Sequence, residues 1–218
     1  MKSKVRFLAF VLATLMLLAA CASTNTTSTL RTPAQDSEPI YRGRIIGDTY
    51  TNDSIQISFT LPSGWVFADD TFLATLMRID VETLVGKSAS LGSFFDEGGR
   101  TIVDMFMWDG KDTKDTFVMV TISDIGRAEI PMYELLEAFK SGTATLDSVE
   151  VTLRDTSEIT IGENTYYVMA MYFEVPDLVP RFGKQHHLIR RQGSYFININ
   201  IQNFSGEKTF DEIITYFN

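Results

Sequence analysis

Apolar residues occupy every second place in Ile55-Gln56-Ile57-Ser58-Phe59-Thr60-Leu61, the period of a strand with one buried and one wet face. It is the second of two short strand-like pieces within residues 45–60, and Pro62-Ser63-Gly64 ends it before Trp65. The period then changes to a helical one. Phe72, Leu73, Leu76, Met77, Leu84 and Val85 follow Asp69 and Asp70, either of which makes a good N-cap, and Gly86 would end the helix. Past a loop near Gly98-Gly99, residues Ile102 to Trp108 and Phe117 to Ile122 are apolar on nearly both faces. They are expected to be central strands, covered on each side and joined through Asp109-Gly110-Lys111-Asp112. A second helix starts near Pro131, with Met132, Leu135, Leu136 and Phe139 at offsets 0, 3, 4 and 7.

From Val149 onward strands dominate: Val149 to Leu153, Glu158 to Ile161, Tyr166 to Val175, His186 to Arg191 and Tyr195 to Gln202. Gly162-Glu163-Asn164 and Gln192-Gly193-Ser194 read as hairpin turns. In the last strand Tyr195, Ile197, Ile199 and Ile201 share one face, while Phe196, Asn198, Asn200 and Gln202 share the other. A closing helix begins with Thr209 and Glu212 in capping-box spacing and buries Phe210, Ile213, Ile214 and Phe217. The pattern therefore predicts an α+β fold, an antiparallel β-sheet with helices packed on it.

The N-terminus follows a different plan. Lys2, Lys4 and Arg6 precede an uncharged run from Phe7 to Ala20, then Leu18-Ala19-Ala20-Cys21. Fourteen helical residues reach roughly 21 Å, short of a hydrocarbon core of about 30 Å, so the run reads as a removable signal peptide over residues 1–20. Leu-Ala-Ala-Cys resembles the bacterial lipobox, which implies a diacylglycerol thioether on Cys21. Each buried methylene of such acyl chains contributes about 0.8 kcal/mol to membrane attachment.

Cys21 is the only cysteine, and its lipidation would exclude disulfides, thiolate catalysis and cysteine-ligated zinc together. Residues 21–40 are read as the lipidated cysteine and a flexible tether, because Ala22 to Ile40 hardly carries a bulky apolar group. Nineteen coil residues span about 24 Å. Residues 41–218 are then a single domain. Cleavage would remove three cations and no acids, taking the net charge from −9 to −12, which argues against nucleic-acid binding.

The domain's order of elements resembles the PsbP-like fold, shared by the photosystem II extrinsic protein PsbP, a Ran-binding nuclear import factor and many bacterial envelope lipoproteins. Tyr50-Thr51-Asn52 with Ile57-Ser58-Phe59-Thr60-Leu61-Pro62-Ser63-Gly64-Trp65 is similar to that family's opening strands and Pro-x-x-Trp end. Gly162-Glu163-Asn164-Thr165-Tyr166-Tyr167 is similar to its turn into a long strand, and Gly193-Ser194-Tyr195-Phe196 with Phe217 to its last strand and terminal helix. The resemblance covers roughly Tyr50 to Phe217. It implies an αβα sandwich and a non-catalytic binding or assembly role, without naming a partner; the manganese and calcium of the photosynthetic members have no matching ligand motif here.

Few residues carry candidate chemistry. His186 and His187, the only histidines, point to opposite faces of a strand and so are no chelating pair. With Arg181, Lys184, Arg190 and Arg191 they form the one basic stretch of an acidic chain. That stretch either meets an acidic partner or phosphate groups, or is a solvated edge strand guarded by charge. Asp109, Asp112 and Asp115 lack the alternating ligands and distant glutamate of a calcium loop. Gly86-Lys87-Ser88 has Val81 where a phosphate loop needs its first glycine. Neither Gly-x-Ser-x-Gly nor His-Glu-x-x-His occurs. Carboxylate pairs such as Asp69-Asp70 and Asp96-Glu97 fit capping and loop solvation, and Met105, Met107, Met169 and Met171 fit the core.

The sequence thus leads to an exported lipoprotein on the extracytoplasmic side of a cell membrane or outer membrane, with no metal and no cofactor. It binds an envelope protein or other surface partner and catalyses nothing. A lipid-anchored hydrolase or a substrate-capturing accessory of a transporter is the alternative. The surfaces expected to meet a partner are strand 184–191 and the polar face of 195–202.

Overall fold

A computed structural model describes residues 39–85, 91–96, 101–111, 116–125, 131–134, 136–137, 150–153, 157–174, 182–203 and 209–218. Cys21 and the segments read as signal and tether up to residue 38 lie outside them, as do Gly86, Lys87, Ser88, Gly98, Gly99, Asp112, Asp115, Leu135, Phe139 and Arg181.

The strands are β1 (Arg44–Ile46), β2 (Thr49–Asn52), β3 (Ile57–Thr60), β4 (Val66–Phe67), β5 (Thr101–Trp108), β6 (Thr116–Asp124), β7 (Glu150–Leu153), β8 (Ser157–Ile161), β9 (Asn164–Glu174), β10 (Phe182–Gln192) and β11 (Tyr195–Asn203). The helices are α1 (Asp70–Met77), α2 (Val81–Val85), α3 (Leu91–Asp96) and α4 (Phe210–Ile214). Every strand pairing is antiparallel. The large sheet runs β4-β5-β6-β11-β10-β9-β7, with β8 also paired to β9, and β1-β2-β3 form a second, smaller sheet. This is the α+β class that the alternating and helical periods predict. All nine residues of β6 are buried, as expected of a central strand apolar on both faces. Gly162 at φ 57° and Gly193 at φ 58° make the two predicted hairpin turns.

One face of the large sheet carries Met105, Val120, Ile199 and Leu188 at register positions and meets α4 and the smaller sheet. Ile213 and Phe217 are buried there, and the predicted capping box is present between Thr209 and Glu212. The C-terminal residues close the outer edge of β3, with Asn218 N donating to Ser58 O at 2.9 Å and Thr60 N to Tyr216 O at 3.0 Å. On the opposite face α1 lays Phe72 against Phe106 and Trp108, at ring separations of 5.3 and 5.8 Å.

Several expectations need correction. The strand read from Ile55 begins at Ile57, because Gln56 takes φ 50° in the turn from β2 and Ile55 reaches the core from that turn. The helix read from Asp70 to Val85 is two. Asp69 caps α1 as predicted, but Arg78 adopts a left-handed conformation and its backbone N–H turns to the carbonyls of Ala74 and Thr75, which ends the helix without a glycine. Leu91–Asp96, where no helix is legible, forms α3 and buries Phe94 and Phe95. Ile40, the last residue of the stretch read as tether, is buried and its carbonyl accepts from Leu91 N at 2.7 Å. Strand β10 is interior, between β9 and β11, so the edge-strand reading of the basic stretch fails. Of the second predicted helix, residues 132–134 and 136–137 are helical and Leu136 is buried.

Asp104 is one of the residues that tie the two sheets together. It sits where the β5–β6 register shifts, between Val103 and Met105, and its carboxylate accepts from Tyr50 Oη at 2.5 Å, Asn52 Nδ2 at 2.7 Å and Gly43 N at 3.0 Å. Arg42 Nε stands 3.8 Å away. Burial raises the Asp104 carboxyl above its ordinary value despite these donors, and burial with the neighbouring Asp104 raises Tyr50. Gly43 lies so close that a Cβ there would come within 2.2 Å of the Tyr50 ring. Gly43→Ala is therefore expected to cost about 1–3 kcal/mol by overpacking, measurable as a lower midpoint in urea unfolding at unchanged slope.

Candidate functional site

Alternation along β10 separates the basic stretch into two sets. Lys184, His186 and Arg190 share the face turned toward the smaller sheet and α4; Arg191 belongs to the other. The four described candidates therefore do not make one patch. His186 is buried and its ring stacks on Phe210 at 4.0 Å. Burial, and next the Lys184 charge, push its pKa down to about 4, with Asp211 opposing.

Arg190 is also buried. Its Nε donates to Tyr166 Oη at 3.1 Å, its Nη2 donates to the Ile55 carbonyl, and its guanidinium lies 5.4 Å from the Tyr166 ring centroid. Gln192 Nε2 donates to Ser54 O at 2.8 Å beside it, so the two side chains staple the β2–β3 turn to the large sheet. Burial raises Tyr166 above its ordinary value while Arg190 opposes that. Lys184 and Arg191 are half-buried. Lys184 stands over the Tyr172 ring at 5.4 Å, and Arg191 Nε donates to Gly193 O at 2.8 Å. The expected basic docking surface is corrected: its two central members brace the interior.

The opposite face of β10 and β11 holds the feature with binding chemistry. The register sets Gln185 beside Gln202 and His187 beside Asn200, with Asn198 opposite Ile189. These five polar side chains form a seam across the middle of the sheet. Each is at most 2% exposed, where polar groups are kept only if paired. The polar face of 195–202, expected to be open to a partner, is buried as well. Met119 of β6 and Met169 of β9 flank Asn200 and His187 in register.

Gln185 Nε2 donates to Gln202 Oε1 at 2.5 Å, and His187 places Nε2 3.2 Å from Gln185 Oε1 and Nδ1 3.2 Å from Asn198 Oδ1. Burial pushes the His187 pKa down to about 3; the Asn198 bond opposes this and the neighbouring His186 adds slightly. A neutral imidazole has a single N–H and cannot donate to two carbonyl oxygens. Turning the Asn198 amide resolves the conflict: its Nδ2, otherwise unpaired, donates to His187 Nδ1, and His187 Nε2–H donates to Gln185 Oε1. Turning Gln185 and Gln202 together resolves it equally: Gln202 Nε2 donates to Gln185 Oε1, Gln185 Nε2 to His187 Nε2, and His187 Nδ1–H to Asn198 Oδ1. Either way one polar atom of the Asn198 amide, and both Nδ2 and Oδ1 of Asn200, have no hydrogen-bond partner.

The signal for this seam was present as the alternation Asn198-Asn200-Gln202, but its burial was not. A polar face on one strand reads as wet unless what packs on that face of the sheet is known. Among the described residues no group of three His, Cys, Asp or Glu is placed to hold a metal ion, and no helix is long and apolar enough to cross a membrane.

No family model matches this chain. No curated protein matches it either. Among solved structures it is similar to the solution structure of cyanobacterial PsbP from Synechocystis sp. PCC 6803, with 15% sequence identity and a TM-score of 0.48, over 87% of this chain and 98% of that one.

Proposed function

We propose that this chain is an exported lipoprotein, anchored to a membrane of the cell envelope through lipid on Cys21, whose domain works as a non-catalytic binding module. The observation that carries the binding role is the seam of Gln185, His187, Asn198, Asn200 and Gln202, where neutral hydrogen-bonding groups are held on rigid strands and those of Asn198 and Asn200 are not all paired within the fold. Rigid, pre-oriented amides suit recognition. General acid–base catalysis uses a group that titrates near the working pH, whereas the two histidines are pushed to about 4 and about 3 and engaged within the fold. The same seam favours the substrate-capturing accessory over the lipid-anchored hydrolase.

The anchoring role is supported by Lys2, Lys4 and Arg6, the uncharged run to Ala20, and Leu18-Ala19-Ala20-Cys21. Cells fed an alkyne-bearing fatty acid should label the wild-type protein and retain it in the membrane fraction, while Cys21→Ala should lose both label and retention. Label persisting on Cys21→Ala would overturn the anchor. For the binding role, mass spectrometry of small molecules released from the natively purified protein should find one held in stoichiometric amount and chemically unaltered. Release of an altered product would overturn the non-catalytic reading.

A further inference from the structure

Six large hydrophobic side chains are exposed among the described residues, and three of them, Tyr41, Ile45 and Ile46, follow directly on the stretch read as tether. Single exposed apolar residues are ordinary on a protein surface; a group of them at one edge marks a contact. Ile45 and Ile46 are neighbours on β1 and so point to opposite faces, with Tyr50 opposite Ile45 and Thr49 opposite Ile46 in register. Tyr50 is buried, yet Ile45 is 44% and Ile46 69% exposed. The tip of the β1–β2 hairpin therefore stands out from the body of the domain with an isoleucine wet on each side, turned by Gly47 at φ 64°. Beyond β1 the smaller sheet has no further strand among the described residues.

We propose that this hairpin tip, Ile45 and Ile46 with Tyr41 at the start of the strand, docks into the neutral phospholipid surface to which Cys21 is anchored; the proposal rests on the anchoring role above. A protein partner would have to offer a slot for two opposed isoleucines, whereas a lipid interface closes round a ridge of any shape. The tether keeps that interface near. Its inner end is held to the fold, Ile40 O accepting from Leu91 N, Tyr41 N donating to Ser54 Oγ at 3.0 Å and Gly43 N to Asp104. Ile46 follows Ile40 by six residues, at most about 21 Å of extended chain, and the tether itself spans about 24 Å. The tip is thus held beside the surface at an effective concentration on the order of millimolar, where weak apolar docking is populated. Neutral lipid is favoured because the mature chain is strongly acidic and anionic headgroups would repel it. The charges beside the tip are Arg44, paired with Asp53 at 3.2 Å, and Asp48, exposed in the turn; they hold it at headgroup level. Arg42 turns away to Asp70. Tyr41 joins an apolar ring to a hydroxyl, which suits the membrane–water boundary.

The lipidated mature chain in phosphatidylcholine vesicles tests this. With Cys21 in thioether linkage, Ile46→Cys supplies one free thiol for a nitroxide, and Glu163→Cys gives a reference site across the smaller sheet. There a Cβ on Gly162 would stand 3.8 Å from Asn218 C, and Asn218 pairs with Ser58 of β3, the strand farthest from β1. Vesicles should raise collisions of the residue 46 nitroxide with oxygen and lower those with a water-soluble paramagnetic chelate, while residue 163 stays open to the chelate. Burying one isoleucine is worth about tenfold in such an equilibrium, so Ile45→Asn added to Ile46→Cys should lower the docked-to-free ratio by about that factor. Residue 46 as open to the chelate as residue 163 overturns the proposal. Spin–spin broadening at residue 46 without a gain in oxygen collisions makes β1 a contact between two copies, and overturns it too. The same pair of sites is read on a mature chain carrying Cys21→Ala and an N-terminal hexahistidine held to chelating lipid, which supplies the anchor artificially. Docking there, with no fatty-acid label on native Cys21, keeps the hairpin contact and removes the natural anchor. Label on Cys21 without docking keeps the anchor and overturns the hairpin contact.

Discussion

Arg190→Glu is expected to remove about 3–5 kcal/mol of the domain's stability, the largest loss of three substitutions along β10. The guanidinium is buried, donates to the Ile55 carbonyl and to Tyr166, and lies along the Tyr166 ring. Glutamate at that place would put an unpaired carboxylate against a carbonyl oxygen and leave Ile55 O without its donor. Uncompensated buried charge costs about 3–5 kcal/mol, against a total stability of about 5–15 kcal/mol for a domain of this kind. Arg190→Met keeps the long apolar stem over Tyr166 and introduces no charge, so it should cost about 1–3 kcal/mol from the unpaired Ile55 carbonyl. Arg191→Glu, at a half-buried position near the end of β10, should change stability by only about 0.5 kcal/mol. Far-UV circular dichroism in urea ranks the three. If Arg190→Glu were as stable as Arg191→Glu, the internal bracing role would be wrong. A charge reversal at Arg190 therefore reports on folding and says nothing about a partner.

Acid should unfold the domain through His187 more than through any other single described group. Its pKa falls from 6.5 to about 3 on folding, so between those values the unfolded chain holds a proton that the folded one refuses. Stability is fully present above pH 6.5 and declines as the pH falls toward 3. At about 1.4 kcal/mol per unit the loss is on the order of 5 kcal/mol. His186, lowered from 6.5 to about 4 and stacked on Phe210, acts in the same direction over a narrower range. Asp104 acts oppositely: its carboxyl is raised, so the fold binds that proton more readily than the unfolded chain and acidification relieves part of its burial cost. His187→Gln keeps an amide in the seam and removes the titration. Unfolding free energies measured from pH 7 to pH 4 should fall less steeply for His187→Gln, by up to one proton in the linkage slope. Equal slopes would mean that His187 is not held neutral in the fold.

Local chemistry was legible where neighbours along the chain decide it. Asp69 caps α1 and Thr209 with Glu212 boxes the start of α4 because the partners lie three residues apart. Gly162 and Gly193 turn the hairpins because positive φ is open to glycine. The break of the long helix at Arg78 was hidden, since an arginine seldom takes the left-handed conformation. Asp104 was hidden as well. It reads as one polar residue in an apolar strand, and only the approach of Tyr50, Asn52 and Gly43 from more than fifty residues away makes it a junction.

The functional reading divides along the same line. By itself the sequence determined the α+β class, the strands and hairpins of the sheet, and the polar alternation Asn198-Asn200-Gln202, because these follow from the two-residue and 3.6-residue periods of the backbone. Tertiary structure decided which of those polar faces is wet. Packing of the β2–β3 turn and α4 over one face turned Arg190 and His186 from a charged surface into internal braces, and the amides of Asn198 and Asn200 are buried on the other. Burial of a face depends on what packs against it, set by contacts between residues far apart in the chain, which no local period encodes.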